Sequence, residues 1–368
     1  MSKEIFLFKS YSDEDCLESV RRVLERGTFW ANGPEISEFE KRMAEFSERR
    51  YAVALNSGTS ALYANLLSHG ITSGEVIVPS FTFPATANSV EIAGARPVFA
   101  DIERETLGLD IEDVKKRITE DTKAIMPIHF AGAVSRDIRA LSELAKQYEI
   151  PLIEDNAQSL GATLDNQKTG TFGDSSVTSF CFNKVLTTGE GGMVFTDNEE
   201  QVEKLKLLRS HGRAQNKDYT IAGMNLRMPT VCAALGLSQL EKLPQMIQSR
   251  REMAEFYDSH LSGLTEVKPL TYPDSNQSVY CTYNVLFKDA ETRDNSASFL
   301  KEKGIPTRSA YSPTHLYSFY IEKYGHSKGD LSVTEDISKR GLTIPLHLGL
   351  RKKDLEYIAQ TLKELPKT

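Results

Sequence analysis

Asp155 and Lys184 are the two side chains whose types and spacing most suggest chemistry. The first lies in Ile153-Glu154-Asp155-Asn156-Ala157-Gln158 and the second in Ser179-Phe180-Cys181-Phe182-Asn183-Lys184-Val185-Leu186-Thr187-Thr188-Gly189-Glu190-Gly191-Gly192-Met193. Taken singly, each is ordinary. An Asp at a strand-to-turn boundary is usually a turn acid, and a lysine beside a loop is usually a solvated charge. Together, 29 residues apart, they fit one kind of reaction. A lysine that forms a Schiff base needs a fixed place and backbone freedom beside it, which Gly189, Gly191 and Gly192 can supply. A pyridine-ring cofactor needs a buried carboxylate to keep its ring nitrogen protonated, so that it can act as an electron sink. Asp155 follows an apolar run, at the strand end where open α/β sheets hold their ligands.

Two further segments could complete such a site. Leu55-Asn56-Ser57-Gly58-Thr59-Ser60-Ala61-Leu62 reads as a strand end running into a helix start, where backbone N–H groups and the helix dipole form a cup for an anion. The same residue types are also plain N-caps. Pro79-Ser80-Phe81-Thr82-Phe83-Pro84-Ala85-Thr86-Ala87-Asn88 offers aromatic rings that could lie on a planar cofactor, and the residues alone leave Phe81 and Phe83 equivalent. There is no G-x-x-x-x-G-K-[ST] and no G-x-G-x-x-G after a strand, which removes the P-loop and dinucleotide fingerprints. Four scattered cysteines without a C-x-x-C pair, and seven histidines without ligand spacing, give no reason to expect a metal.

The elements that must position these groups follow from the apolar pattern. Short apolar runs at 51–55, 75–79, 96–100, 123–128 and 151–154 alternate with helical patterns at 59–69, 86–93 and 137–148. Runs apolar at nearly every residue, separated by helices, predict a parallel sheet covered on both faces. Amphipathic helices are expected at 13–26 and 35–47, on either side of the turn-rich Gly27–Pro34 stretch. After Glu154 the rhythm changes: 176–182 and 192–196 read as strands joined by a glycine-rich loop. A mostly helical stretch from Pro229 to about Ser262 could serve as a strut, followed by a smaller α/β domain with a strand at 278–287 and helices near 296–303 and 352–362. With 368 residues, a large domain over 1–250 and a small one over 251–368 are expected. A net charge of -7 argues against broad binding to nucleic acid. The amino terminus lacks the apolar run of a signal peptide, no window approaches a membrane span, and the unpaired cysteines suit a cytoplasmic protein.

Taken together these residues resemble the DegT/DnrJ-type nucleotide-sugar aminotransferase family, a branch of the fold-type I pyridoxal-phosphate enzymes. The likeness runs nearly end to end, from Gly27–Pro34 through Gly223-Met224-Asn225-Leu226-Arg227-Met228 to Ile344-Pro345-Leu346-His347. Its most specific part is the S-F-x-x-x-K-x-x-T-T-G-E-G-G-M segment. The resemblance implies an aspartate-aminotransferase-like α/β fold, with a mainly parallel seven-stranded sheet in the large domain and a small C-terminal α/β domain. It implies pyridoxal 5'-phosphate held covalently by Lys184, with Asp155 on the pyridine nitrogen, Gln158 on the phenolic-oxygen side and Phe83, rather than Phe81, on the ring face. Gly58, Thr59 and Ser179 would hold the phosphate, and Asn225 would reach it from the other subunit of a homodimer. Arg308, Tyr311 and His315 fall in the family stretch that approaches the nucleotide-sugar, where Arg308 could grip a pyrophosphate by a forked hydrogen bond.

The implied reaction passes an amino group from an amino acid, usually glutamate, to the ketone of a nucleoside diphosphate keto sugar. The lysine segment is closest to the C4 enzymes of the perosamine-synthase type; a C3 aminotransferase is the alternative. A dehydratase of the same family typically has histidine where Lys184 stands, and a cofactor-binding regulator would carry a DNA-binding module or a basic face that this sequence lacks.

Overall fold

The computed structural model describes residues 4–365; the ends of the two expected domains, 1–3 and 366–368, lie outside them. Two helices come first, α1 (Glu14–Arg26) and α2 (Pro34–Phe46). The Asp13 side chain accepts the Cys16 N–H to start α1, and Gly27 ends it at φ 72°, returning its own N–H to the Leu24 carbonyl. The strands and helices of the large sheet then alternate: β1 (Tyr51–Leu55), α3 (Gly58–Ser68), β2 (Glu75–Pro79), α4 (Ala85–Ala93), β3 (Arg96–Ala100), α5 (Ile111–Arg117), β4 (Thr122–Ile125), α6 (Ile138–Gln147) and β5 (Ile153–Asp155). A short hairpin, β6 (Thr163–Leu164) and β7 (Gln167–Lys168), leads into β8 (Ser175–Ser179) and β9 (Gly192–Thr196).

β1, β9, β8 and β5 are hydrogen-bonded in that order, as are β3, β2 and β4. Parallel bridges from Ile125 to Leu152 and from Ile128 to Asp155 join the two groups. The result is one seven-stranded sheet in the order β1-β9-β8-β5-β4-β2-β3, in which only β9 runs against the others. The mainly parallel sheet implied by the resemblance is what forms. Alternate residues feed two cores: Ala52 and Ala54 of β1 face one side with Phe39, Met43 and Leu141, while Val53 and Leu55 face the other with Leu62, Leu66 and Val90. Both faces of the sheet are therefore covered by helices, which explains why its strands read as unbroken apolar runs.

Beyond α7 (Glu199–Arg209) and α8 (Thr230–Leu240) runs α9 (Leu243–Leu261). Its Leu243 and Ile247 join the first core, and its Ala254, Tyr257 and Leu261 join a separate one. That third core lies on a smaller antiparallel sheet in the order β10 (Val267–Pro269), β12 (Tyr283–Phe287), β14 (Gly341–Ile344) and β13 (Arg308–Ser309), with β11 (Asn276–Gln277) paired instead to β6. α10 (Ala290–Glu302), α11 (Ser318–Tyr324), α12 (Ser332–Arg340) and α13 (Lys352–Lys363) complete the chain. The strand expected over 278–287 begins only at Tyr283. Ser278 and Tyr280 instead form a turn, in which the Tyr280 N–H bonds to the Ser278 hydroxyl and Tyr280 has a positive φ of 45°.

Candidate active site

Because every large-sheet strand except β9 points the same way, the ends of β1, β2, β5 and β8 gather Ser57, Ser80, Asp155 and Ser179 along one edge, with Gly192 at the start of β9. At this edge α3 begins. The Ser57 hydroxyl caps the Ser60 N–H at 3.1 Å, and the first intrahelical bond runs from the Ala61 N–H to the Ser57 carbonyl. The N–H groups of Gly58 and Thr59 lie ahead of that bond and have no acceptor within the helix. Ser179 stands directly against them, since a Cβ added to Gly58 would come within 2.8 Å of the Ser179 Cβ. Space, rather than flexibility, is also what Gly192 provides: a Cβ there would sit 2.2 Å from the Ser57 carbonyl oxygen. Of the three loop glycines, only Gly189 adopts a left-handed backbone, at φ 82°. The sequence therefore builds a tight cup with donors and a partial positive dipole at its floor, suited to a phosphate.

Asp155 ends β5 and is almost wholly buried, at 3% exposure. Its Oδ2 accepts the Thr86 hydroxyl at 2.8 Å and its Oδ1 accepts the Ala157 N–H at 3.1 Å. Burial pushes this carboxyl up from its ordinary value; the two hydrogen bonds and the nearby Lys184 charge pull the other way without cancelling it. A cation placed against Asp155 would thus gain a strong partner. Lys184 is half-buried, in the turn after β8 where its N–H bonds to the Cys181 carbonyl at 3.0 Å. It follows β8, the strand paired in parallel with the β5 that ends at Asp155, so lysine and acid leave the same edge of the sheet.

Gln158 ties this cleft to the small sheet. Its Oε1 accepts the Ala131 N–H at 3.0 Å and its Nε2 donates to the Tyr311 hydroxyl at 3.1 Å. Burial raises the Tyr311 phenol, so it stays protonated. Phe81 is a core ring, packed 5.0 Å from Phe130 and 6.0 Å from Tyr311. Phe83 remains 59% exposed, with its ring 6.4 Å from Tyr311, and of the two it is the one a ligand can reach. Arg308, on β13, is exposed and lies 5.0 Å over the Phe8 ring. Asn225 is exposed, and its backbone carbonyl lies 3.5 Å from the Asn56 amide of the same chain, next to the cup.

His315 departs from expectation. It is completely buried, with Nδ1 2.7 Å from the Ser80 hydroxyl and Nε2 3.5 Å from a Glu335 oxygen. Phe99, Ser80 and Glu335 surround the ring, so it faces the interior of this structure. Its place is structural, pinning the segment after Tyr311 to the end of β2.

Sequence reasoning gives no role to Thr82, Thr86 or the pair His129–Glu154, although His129 lies in family-like surroundings. Thr82 and Thr86 are four residues apart, the spacing that brings two side chains together at a helix start, and that signal was available. Glu154 accepts N–H groups from Gly170, Phe172 and Gly173, each at 2.7 Å, and lies 2.9 Å from His129 Nε2. Burial raises its carboxyl, but these donors together hold it below the usual carboxylate range. Because His129 Nδ1 accepts the Ser135 N–H at 3.0 Å, the ring proton belongs on Nε2, facing Glu154. The pair locks the strand end carrying Asp155. Among the described residues no group of three metal-ligating side chains occurs.

A cup for a phosphate, a buried acid with room for one more donor and a reachable lysine form a set that fits pyridoxal phosphate. Comparison with known proteins agrees. The model of the DegT/DnrJ/EryC1/StrS aminotransferase family matches residues 10–363. GDP-perosamine synthase of Escherichia coli O157:H7 is 35% identical over 353 residues, 94% of each chain. UDP-4-amino-4,6-dideoxy-N-acetyl-beta-L-altrosamine transaminase of Campylobacter jejuni is 33% identical, covering 95% of this chain and 94% of its own. The Spr1654 protein of Streptococcus pneumoniae, solved in its PLP form, superposes with a TM-score of 0.91 at 27% identity, over 99% of this chain and 98% of its own. With the lysine, the acid and the phosphate cup at one sheet edge and a family match across nearly the whole chain, the protein belongs to the DegT/DnrJ/EryC1/StrS aminotransferases and is a pyridoxal-phosphate-dependent transaminase.

Proposed function

We propose that this enzyme moves the amino group of glutamate onto the C4 ketone of a 4-keto-6-deoxy hexose carried by a nucleoside diphosphate, and works as a homodimer. The observation that carries the reading is the placing of Asp155 and Lys184 at the ends of the paired strands β5 and β8, with Tyr311 joined to the same edge through Gln158, in a chain whose relatives include a GDP-perosamine synthase and a UDP-4-amino-4,6-dideoxy-N-acetyl-beta-L-altrosamine transaminase. Bound pyridoxal phosphate supplies an electron sink for the carbanion formed when a proton leaves the carbon bearing the amino group.

The chain's own residues do the rest. Gly58 and Thr59 N–H groups and the Ser179 hydroxyl would hold the phosphate, with Asn225 of a second copy closing the cup. Asp155 would accept from the ring nitrogen and keep it protonated. Gln158 would serve the phenolic-oxygen side, and Phe83 would cover one ring face. Lys184 Nζ, once the donor's amino group has taken its place on the cofactor, would take the proton from the α-carbon of glutamate, and in the second half-reaction would deliver one toward C4 of the sugar. Arg308 offers a planar, forked donor to the pyrophosphate, presented by its stacking on Phe8. Tyr311 presents a protonated hydroxyl beside Gln158 for the sugar.

The test is to offer 4-keto and 3-keto nucleotide sugars side by side with glutamate, and to find the aminated carbon by NMR. Nitrogen at C4 is the expected product. Nitrogen only at C3 would overturn the regiochemistry and leave the transaminase intact.

A further inference from the structure

The acid that is read here as the partner of the ring nitrogen does not stand alone in the protein interior. Thr86 is 1% exposed and Thr82 is completely buried. The two hydroxyl oxygens are 2.7 Å apart, and Thr86 Oγ1 is 2.8 Å from Asp155 Oδ2. A threonine hydroxyl has a single hydrogen. With the carboxylate ionised, the hydrogen of Thr86 must go to Asp155, so Thr82 must donate to Thr86. The relay thus has one direction, from Thr82 through Thr86 to Asp155.

We propose that Thr86, oriented by Thr82, is a positioning residue for Asp155, fixing the plane of the carboxylate so that it meets the ring nitrogen of the cofactor. This rests on the reading of Asp155 given above. The geometry supplies the reason. Each carboxylate oxygen receives one fixed donor, Thr86 on Oδ2 and the Ala157 N–H on Oδ1. Turning the carboxylate about its terminal torsion would break both bonds in a buried site. Each oxygen still has a lone pair free for a further donor.

The relay also connects two segments that the site needs at one spacing. Thr82 and Thr86 flank Phe83, at the start of α4, and Asp155 ends β5. A threonine in a helix commonly returns its hydroxyl to the carbonyl four residues back. Thr86 instead meets the hydroxyl of that residue and sends its hydrogen across to β5. Holding the start of α4 against Asp155 therefore also sets where Phe83 stands over the ring.

Hydrogen bonding to the ionised carboxylate favours that form, against the burial that pushes Asp155 up. Losing the Thr86 donor should move the Asp155 titration further upward.

The experiment compares Thr86→Val, which keeps the shape without the hydroxyl, with Thr86→Ser, which keeps the hydroxyl, and adds Thr82→Val and Asp155→Asn. Two readouts are taken. In the cofactor-free protein, carboxyl-labelled aspartate is titrated by NMR, with Asp155→Asn assigning the signal. In the loaded enzyme, single-turnover rates with glutamate are measured alongside the glutamate KM. The expected result for Thr86→Val is an upward shift of the Asp155 midpoint, with a roughly tenfold slower turnover and a KM within about twofold of the unmodified enzyme. Thr86→Ser should recover both, and Thr82→Val should show a smaller shift in the same direction. An unchanged midpoint and rate in Thr86→Val, while Asp155→Asn is crippled, would overturn the relay and leave the role of Asp155 standing. Near-normal turnover in Asp155→Asn would instead remove the reading beneath it. If Thr86→Val fails to fold, Thr82→Val decides: an unshifted midpoint and full activity there would count against the proposal.

Discussion

Asp155 is in tension with the stability of its own fold. Burial raises its carboxyl above the value it has in an unfolded chain, so the folded state holds that proton more tightly. A group of this kind contributes stability below its unfolded value, about pH 4 for an aspartate, and loses that contribution as pH rises through its folded value. Toward neutral pH the cofactor-free protein therefore gives up stability at this acid. Asp155→Asn should melt at a higher temperature than the unmodified protein at pH 7 when both lack cofactor, with the gap closing toward pH 4. Thermal unfolding across that range checks it; a variant less stable at pH 7 by the same margin as at pH 4 would contradict it. The same substitution should cripple turnover, because a neutral partner no longer keeps the ring nitrogen protonated. Most of this residue-scale picture was legible in sequence, since Lys184 and Asp155 carry distinctive types at a distinctive spacing. What could not be read was the supporting shell. Neither His315 nor Thr86 announces by type whether it faces the cleft or the interior, and only packing against Phe99 or Asp155 decides that.

At the scale of elements, the seven strands were largely visible because apolar runs covered on both faces leave few alternatives. The start of the strand expected over 278–287 was less so, since a positive φ at Tyr280 and its N–H bond to the Ser278 hydroxyl interrupt a pattern that remains apolar in composition. A polar joint at the opposite edge of the sheet from the cofactor cup was not anticipated at all. There His69 Nε2 lies 2.8 Å from the Ser175 hydroxyl and 2.9 Å from Gln201 Nε2, tying the end of α3 to β8 and α7. The Ser175 oxygen accepts the Asn65 amide, which leaves its own hydrogen for His69 Nε2, so that nitrogen is an acceptor and the ring is neutral when the joint is made. Burial, with a smaller contribution from Lys204, depresses His69 to about 4. For a base held below its unfolded value of 6.5, stability is complete above that value and is lost as pH falls toward 4. Unfolding free energy should therefore drop across this window, by an amount on the order of 2–3 kcal/mol. His69→Gln, which cannot gain the proton, should begin less stable and show a flatter profile there. A profile as steep as that of the unmodified protein would assign the acid sensitivity elsewhere.

For the molecule as a whole, two cores meet along α9, and the cleft opens where the small sheet brings Arg308 and Tyr311 to the carboxyl edge of the large one. That arrangement puts the lysine, the acid and the groups offered to a substrate on three different parts of the chain, which only the complete fold can bring together. The whole-chain family match follows the same logic, because no fragment holds a working site. Everything proposed about the substrate depends on Lys184 being the residue that holds the cofactor. Borohydride reduces a lysine–cofactor imine to a stable secondary amine, which survives digestion and can be located by peptide mapping. The purified protein loaded with pyridoxal phosphate should be yellow, should lose that colour on reduction, and should carry the label on Lys184 alone, while Lys184→Ala should take up none. Label on any other lysine, or an unchanged yield of label in Lys184→Ala, would show that the site lies elsewhere.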